Sequence, residues 1–311
     1  MVSPEKPFII IIAGPTGVGK TRTAIYLAEA LGAEIISADA MQVYRRMDIG
    51  TAKPTVEEQA RVRHHLIDIV EPDEPFSAAR FKQLADRVIK HLHRAGVVPF
   101  VVGGTGLYIK ALTRGLFEAD EVDESIRARL LSEAEAHGTA ALHARLKKVD
   151  REAACRIHPN DSYRIIRALE VFEATGCPIS SLQKQHGFSD TSYRALKVGL
   201  FLERPVLYDR IDSRVDEMMD SGFVGEVRGL LEQGFSPELK SMQSIGYRHV
   251  AEFLRGGISR DDMVEQLKRD TRRYAKRQLT WFRADPGMVW FTPSDIEAIR
   301  RKIEAFLGQK A

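Results

Sequence analysis

Gly14, Gly19, Lys20 and Thr21 follow the spacing G-x-x-x-x-G-K-T, a pattern made to hold phosphates. Glycines let backbone N–H groups turn inward around phosphate oxygens, and the N-terminus of a following helix adds its positive dipole end. Pro15, Thr16, Gly17 and Val18 complete the loop. Lys20 would neutralise phosphate charge, and the Thr21 hydroxyl would ligate Mg²⁺. The setting is the required one, with the apolar run FIIIIA before the loop and a helical pattern after it. The competing reading is a Gly-rich turn with no ligand. Such a loop grips an oligophosphate without specifying ATP, although kinases and NTPases are its commonest owners.

Two further stretches could do chemistry at the same edge. In SADAMQVYRRMDIGTAKP, residues 37–54, Asp39 ends the second expected strand. In an open α/β sheet that edge faces the ligand crevice. A carboxylate there can ligate a metal through water or act as a general base. It can equally cap the next turn. Gln42 and Tyr44 bring amide and aromatic groups that suit a base or sugar, though both are common in loops. In VVGGTG, residues 101–106, Gly103 and Gly104 permit close backbone approach and Thr105 offers a hydroxyl. A small-molecule kinase could carry a similar turn.

These residues need a sheet to hold them. FIIIIA, AEIISAD and VVPFVV read as buried strands, separated by helices from Thr21 to Leu31 and over 77–96, the latter with Ser77 as N-cap and Gly96 as stop. The alternation predicts a parallel sheet with helices on both faces. From about 117 the pattern becomes helical throughout. VDESIRARLLSEAEAHG is one helix; NDSYRIIRALEVFEATG is another, capped by Asn160, Asp161 and Ser162 and ended by Gly176. The polar KQHGFSDTSYR, 184–194, reads as a hinge, LKVGLFLE restores a strand, and helices run on to the short MVWF. The expected organisation is a P-loop NTPase-like α/β core over 1–116 and 196–311, interrupted by an all-helical insertion over 117–195.

Composition narrows the class. The 311 residues are 44% hydrophobic and 29% charged, as in a globular protein of about two domains. A net charge of +3 does not by itself argue for nucleic acid. Cys155 and Cys177 have neither metal-ligand spacing nor disulfide density, which suits a reducing cytosol and a cytoplasmic protein. No apolar run approaches the ~20 residues of a membrane span, and MVSPEKPF is too short for a leader. His64 and His65 lack a metal-site pattern and read as helix-end or loop residues. On a helical wheel, 269–283 sets Arg269, Arg272, Arg273, Lys276 and Arg283 on one side. Tyr274, Ala275, Trp281 and Phe282 fall on the other, with Met263, Val264 and Leu267. The aromatic face should pack inward beneath a cationic stripe suited to a phosphate backbone, or merely to solvent. Arg164 and Arg167, one turn apart, make a second basic pair.

GPTGVGKT, DAMQVYRRMDIGTAKP, VGGTGLY, RIHPNDSYRIIRALEVF, QSIGYR and KRQLTWFR, in this order over nearly the whole chain, resemble the tRNA dimethylallyltransferases. DIGTAKP, HPND and KRQxTWFR are far more restrictive than the P-loop. The chain lacks the C-terminal zinc-finger extension of eukaryotic relatives, so the bacterial type is the closer match. The resemblance implies transfer of a dimethylallyl group from dimethylallyl diphosphate to N6 of adenosine 37 of tRNA, beside the anticodon, with diphosphate leaving. It implies Mg²⁺, Asp39 as the base, Thr105 near the reacting centre and Arg214 near the diphosphate. It implies an RNA-gripping helical insertion that binds the anticodon stem-loop. RNA contacts would come from Asp39, Ala40, Met41, Gln42 and Thr105; from Arg127, Tyr163, Arg164, Ile165, Ile166 and Arg167; from Gln243, Ser244, Ile245, Gly246, Tyr247 and Arg248; and from Lys276, Arg277, Gln278, Leu279, Thr280, Trp281, Phe282 and Arg283. A monomer is the expectation. Two other readings compete. A small-molecule kinase leaves the insertion and the basic helix unexplained; an RNA-binding nucleotide switch has no use for Asp39 and Thr105.

Overall fold

The structure, a computed structural model, describes residues 6–116, 124–187 and 192–309. The chain divides into two compact units: Met1–Thr113 with Ser192–Ala311, and Arg114–Thr191. Part of the expected hinge, 188–191, and the first two residues of the expected helix 122–138 lie outside the described residues.

The larger unit is built on six parallel strands: β1 (Phe8–Ala13), β2 (Ala33–Ser37), β3 (His64–His65), β4 (Val98–Gly103), β5 (Arg194–Leu200) and β6 (Met288–Phe291), in the order β3-β2-β4-β1-β5-β6. β1 is central and all six of its residues are buried. A strand sends successive side chains to opposite faces. Ile9, Ile11 and Ala13 accordingly join one core layer, with Phe81, Ala85 and Ile89 of the helix Ala78–Arg94. Ile10 and Ile12 join the other, with Ala24, Ile25 and Leu27 of the helix Lys20–Leu31. Helices thus cover both faces, as the alternating pattern predicts.

Two elements differ from the sequence reading. His64 and His65 form an edge strand paired with Ile35 and Ile36, not a loop. His65 Nε2 lies 2.6 Å from Glu34 Oε2 and His64 Nδ1 lies 2.7 Å from the Val62 carbonyl. Two residues are too few for a period-2 pattern to be visible. β5 starts at Arg194, paired with Phe8, two residues before its apolar run, so 194 and 195 belong to the sheet.

The smaller unit is helical: Glu124–His137, Thr139–Val149, Arg151–Arg156, Ser162–Thr175 and Ile179–His186. Asp161 caps the fourth helix through a 3.1 Å bond from the Arg164 N–H, and Gly176, at φ 68°, ends it. Leu130, Leu142, Leu146, Ile165, Ile166 and Leu169 form its own buried core.

Candidate active site

The glycine loop leaves β1 and runs into the helix that starts at Lys20, with Gly19 in the left-handed region at φ 101°. Lys20 Nζ curls back to donate to the Pro15 carbonyl at 2.8 Å. The second glycine loop follows β4. One side chain joins the two. Gln278 Oε1 accepts the Thr16 N–H at 2.9 Å, and its Nε2 donates to the Gly104 carbonyl at 2.9 Å. The approach is so close that a Cβ at Gly104 would lie 2.3 Å from Gln278 Nε2, which is why glycine stands there.

The loop after β2 is braced against the same edge. Thr105 N donates to the Ala38 carbonyl at 3.2 Å, and Thr105 Oγ1 accepts the Ala40 N–H at 3.0 Å. Asp39 Oδ1 accepts the N–H groups of Met41 at 2.9 Å and Gln42 at 3.4 Å. Asp39 is therefore a turn cap, and its carboxylate also lines the cavity described next. The two readings of Asp39 are compatible because its two oxygens can serve separately.

A cavity of about 340 Å³ opens over this edge. Thr16, Lys20, Thr21, Asp39 and Arg214 give it a charged, polar part; Met218, Phe223, Ile245, Tyr247 and Leu267 give it an apolar part. Burial pushes the Lys20 ammonium down to about 8; the Asp39 carboxylate opposes this and Arg214 adds to it. Burial likewise lowers Arg214, with Asp39 the foremost opposing charge. One carboxylate thus serves two desolvated cations, an arrangement that favours a polyanion. Tyr274 also lines the cavity, and burial followed by the Asp39 charge raises its phenol.

No cluster of three or more His, Cys, Asp or Glu able to hold an ion occurs among the described residues. Mg²⁺ binds with one or two protein groups plus phosphate and water oxygens. The Thr21 hydroxyl and the Asp39 carboxylate on one cavity wall fit that donor set.

Glu226, which no sequence pattern marked, organises the apolar side. Its carboxylate accepts the N–H groups of Asp48 at 2.9 Å, Ile49 at 2.7 Å and Gly50 at 3.2 Å, and the Tyr247 hydroxyl at 2.6 Å. Lys53, its side chain 3% exposed, pins the same loop to Asp48 and Asp68 at 2.5 Å each.

Several expected site residues fall elsewhere. Thr105 does not line the cavity; it braces the wall that holds Asp39. Gln42 does line the cavity, with its side chain held by protein, accepting from Ser37 Oγ at 3.0 Å and donating to the Ala52 carbonyl at 3.2 Å. Tyr44 is buried in the core. Phe282 packs into the core, Leu279 is partly buried against it, and buried Gln278 lines the cavity. Trp281, expected inside, is 45% exposed because the core stripe runs through Met263, Leu267, Ala275, Gln278 and Phe282, leaving Trp281 on the flank over Gly106. Thr280 bonds its own helix at the Lys276 carbonyl. Of 243–248, Ser244, Ile245, Gly246 and Tyr247 line the cavity, whereas Gln243 and Arg248 are exposed.

The cationic stripe is partly neutralised. Arg272 pairs with Asp212 at 2.5 Å, and Arg269 and Arg273 lie on Asp270 at 3.3 and 3.5 Å, beside Arg248 at 2.7 Å. Lys276, Arg277 and Arg283 carry no ion pair among the described residues, and Arg277 lies over the Tyr274 ring at 5.8 Å.

In the helical unit, the side chains of Ile165 and Ile166 are buried in its core, so they do not present a surface to RNA. Tyr163 is 58% exposed, with Arg127 over its ring at 5.4 Å. Arg164 pairs with Asp161 at 2.9 Å; Arg167 pairs with Glu170 at 3.0 Å.

A parallel sheet with a glycine loop ahead of a helix, and one cavity lined by buried cations and by apolar side chains, define a P-loop-type α/β fold with a candidate active site at its sheet edge. The family model described as IPP transferase matches residues 42–285. The tRNA dimethylallyltransferase of Desulfosudis oleivorans is 55% identical over 98% of this chain and 97% of its own length. That of Syntrophobacter fumaroxidans is 57% identical over 95% and 86%. The full-length tRNA isopentenylpyrophosphate transferase structure from Bacillus halodurans superposes with a TM-score of 0.73 at 43% identity, covering 98% of both chains. The structure of a eukaryotic dimethylallyltransferase acting on tRNA gives a TM-score of 0.83 at 30% identity, covering 97% of this chain and 80% of that one. The chain belongs to the IPP transferase family.

Proposed function

We propose that this enzyme transfers the dimethylallyl group of dimethylallyl diphosphate to N6 of adenosine 37 of tRNA, giving N6-isopentenyladenosine and diphosphate. The observation that carries the reading is the continuity of one cavity from Lys20 and Arg214 to Met218 and Phe223, a place for a diphosphate and for a short hydrocarbon.

The allylic C1–O bond breaks as charge builds on the diphosphate. Glycine-loop amides, Lys20 and Arg214 meet that charge. Thr21 would hold Mg²⁺, which would supply further charge neutralisation when bound. The adenine N6 lone pair is delocalised into the ring, so the amine is a poor nucleophile. As N6 bonds to C1, its proton passes to Asp39, already held at the edge by the Met41 N–H. Thr105 keeps that loop in place. The target base must leave its stack to reach a cavity inside the protein. Tyr163, Arg164, Arg167 and Arg127 of the helical unit take the anticodon stem-loop. Lys276, Arg277 and Arg283 take phosphates, and exposed Trp281 offers a stacking face. The enzyme works as a monomer in the cytoplasm; no helix among the described residues is long and apolar enough to cross a membrane.

The test is a transfer assay with purified protein, Mg²⁺, unmodified tRNA reading codons that begin with U, labelled dimethylallyl diphosphate and no ATP. Label on the adenosine beside the anticodon is expected. An absence of label, with ATP consumed on a small hydroxyl compound, would return the reading to a kinase.

A further inference from the structure

One buried ring stands in the apolar wall between two glycines. A Cβ at Gly50 would lie 2.2 Å from Phe223 Cε2, and one at Gly246 would lie 3.0 Å from Phe223 Cζ. Both glycines and Phe223 line the cavity, so the missing side chains are what let the ring stand where it does. Tyr247 meets Phe223 edge-on, with centroids 5.1 Å apart and planes at 82°. The Tyr247 hydroxyl and the Gly50 N–H are both bound by Glu226, so two neighbours of the ring are held by one carboxylate. An aromatic ring fixed on this many sides cannot swing away to enlarge the cavity.

The helix Arg204–Asp220 supplies a ruler. Ile211, Arg214, Val215 and Met218 line the cavity at helical spacing, so one face of this helix runs along it. From Arg214, among the cations, to Met218 is about 6 Å along the axis. The helix Phe223–Glu232 then begins at the fixed ring. A dimethylallyl group spans about 4 Å from C1 to its far methyls, three carbon–carbon bonds of ~1.5 Å. A second isoprene unit adds roughly 5 Å on the same bond lengths. The first is shorter than the rise from Arg214 to Met218 and the two together are longer than it.

We infer that Phe223, set between Gly50 and Gly246 and held through Glu226, is the stop that limits the prenyl donor to a five-carbon allylic diphosphate. This rests on the donor reading given above.

The experiment compares the wild-type chain with the F223L and M218A variants, each supplied with unmodified tRNA and either dimethylallyl or geranyl diphosphate. Thermal unfolding identifies the folded variants. The wild type should prefer the five-carbon donor by roughly 100-fold or more in kcat/KM, and F223L should reduce that preference at least about tenfold. M218A, at another apolar position of the lining and only partly buried, should reduce it less. Inhibition of the wild type by geranyl diphosphate is a second readout that needs no variant. Added CH₂ groups tighten binding wherever there is room for them, so geranyl diphosphate binding more weakly than the five-carbon donor marks a stop. The inference falls, with the transferase reading intact, if the wild type transfers both donors alike, if geranyl diphosphate binds it as tightly, or if folded F223L keeps the wild-type preference. A wild type that transfers neither donor overturns both.

Discussion

Gln278 and Thr16 are 262 positions apart in the chain, and the Gln278 amide oxygen accepts the Thr16 N–H at 2.9 Å. The other end of the same amide holds the Gly104 carbonyl at 2.9 Å. The helix Arg260–Arg283 therefore ties together the two glycine loops that frame the cavity. Any diphosphate bound there is gripped by a loop whose shape depends on a residue far from it in sequence.

Gln278→Ala leaves a buried N–H and a buried C=O unpaired, a loss of about 1–3 kcal/mol. The expected outcome is a donor KM raised roughly tenfold, with tRNA KM within about twofold of wild type. Gln278→Glu should be worse for the donor, because it can accept from Thr16 but cannot donate to Gly104 and adds negative charge beside the diphosphate. Steady-state kinetics with each substrate varied separates these outcomes.

Glu226→Ala removes the common acceptor of three backbone N–H groups and the Tyr247 hydroxyl. Bonds to a charged acceptor are worth about 1.5–3 kcal/mol each, but the exposed ones can turn to water, so a net loss of about 2–3 kcal/mol is expected. A fall in Tm of several degrees in thermal unfolding would agree with it; an unchanged Tm would show that the loop holds its shape without Glu226.

Lys20, lowered to about 8 by burial, grips an anion only while protonated. Below pH 8 the free enzyme carries the charge; above it the charge is lost progressively. Donor affinity should therefore be level up to about pH 7 and weaken above pH 8, towards tenfold per pH unit. Binding of inorganic diphosphate by titration calorimetry across pH 6.5–9.5 reads the profile directly, with no catalytic step involved.

Asp39→Asn keeps an oxygen to accept the Met41 and Gln42 N–H groups, so the turn should survive. The proposed base is lost, with the negative charge that opposes the lowering of Lys20 and Arg214. Turnover should fall by roughly 10²–10⁴ with an unchanged circular dichroism spectrum. Near-normal turnover would remove Asp39 from the base role.

Arg164→Ala and Arg167→Ala should weaken tRNA binding across all sequences and leave donor KM unchanged. Each lost phosphate contact lowers the slope of log K against log salt by about 1. The effect of Arg164 should be the larger, since Arg167 is held by Glu170, whose side chain is only 3% exposed. Filter binding at several salt concentrations measures both.

The parts of this protein legible in the sequence are those governed by neighbours along the chain. The run of buried isoleucines in β1, the glycine spacing of the phosphate loop, the Ser77 and Asp161 caps and the change to helical periodicity near 117 all rest on contacts within a few residues. They determined the parallel core, the glycine loop ahead of its helix and the presence of a helical unit, and the ordered motifs pointed to the family. What escaped rests on packing between distant segments. Which side of Arg260–Arg283 turns inward was decided by the core it meets, which buried Gln278 and left Trp281 outside. His64 and His65 became a strand only because β2 offered an edge. Glu226 is an ordinary helical glutamate until a loop some 176 positions away brings its N–H groups to it. Periodicity and capping are local energies that a sequence displays directly. Hydrogen bonds made across the fold are chosen by the tertiary structure, because only there do the partners meet out of water, where leaving them unpaired is costly.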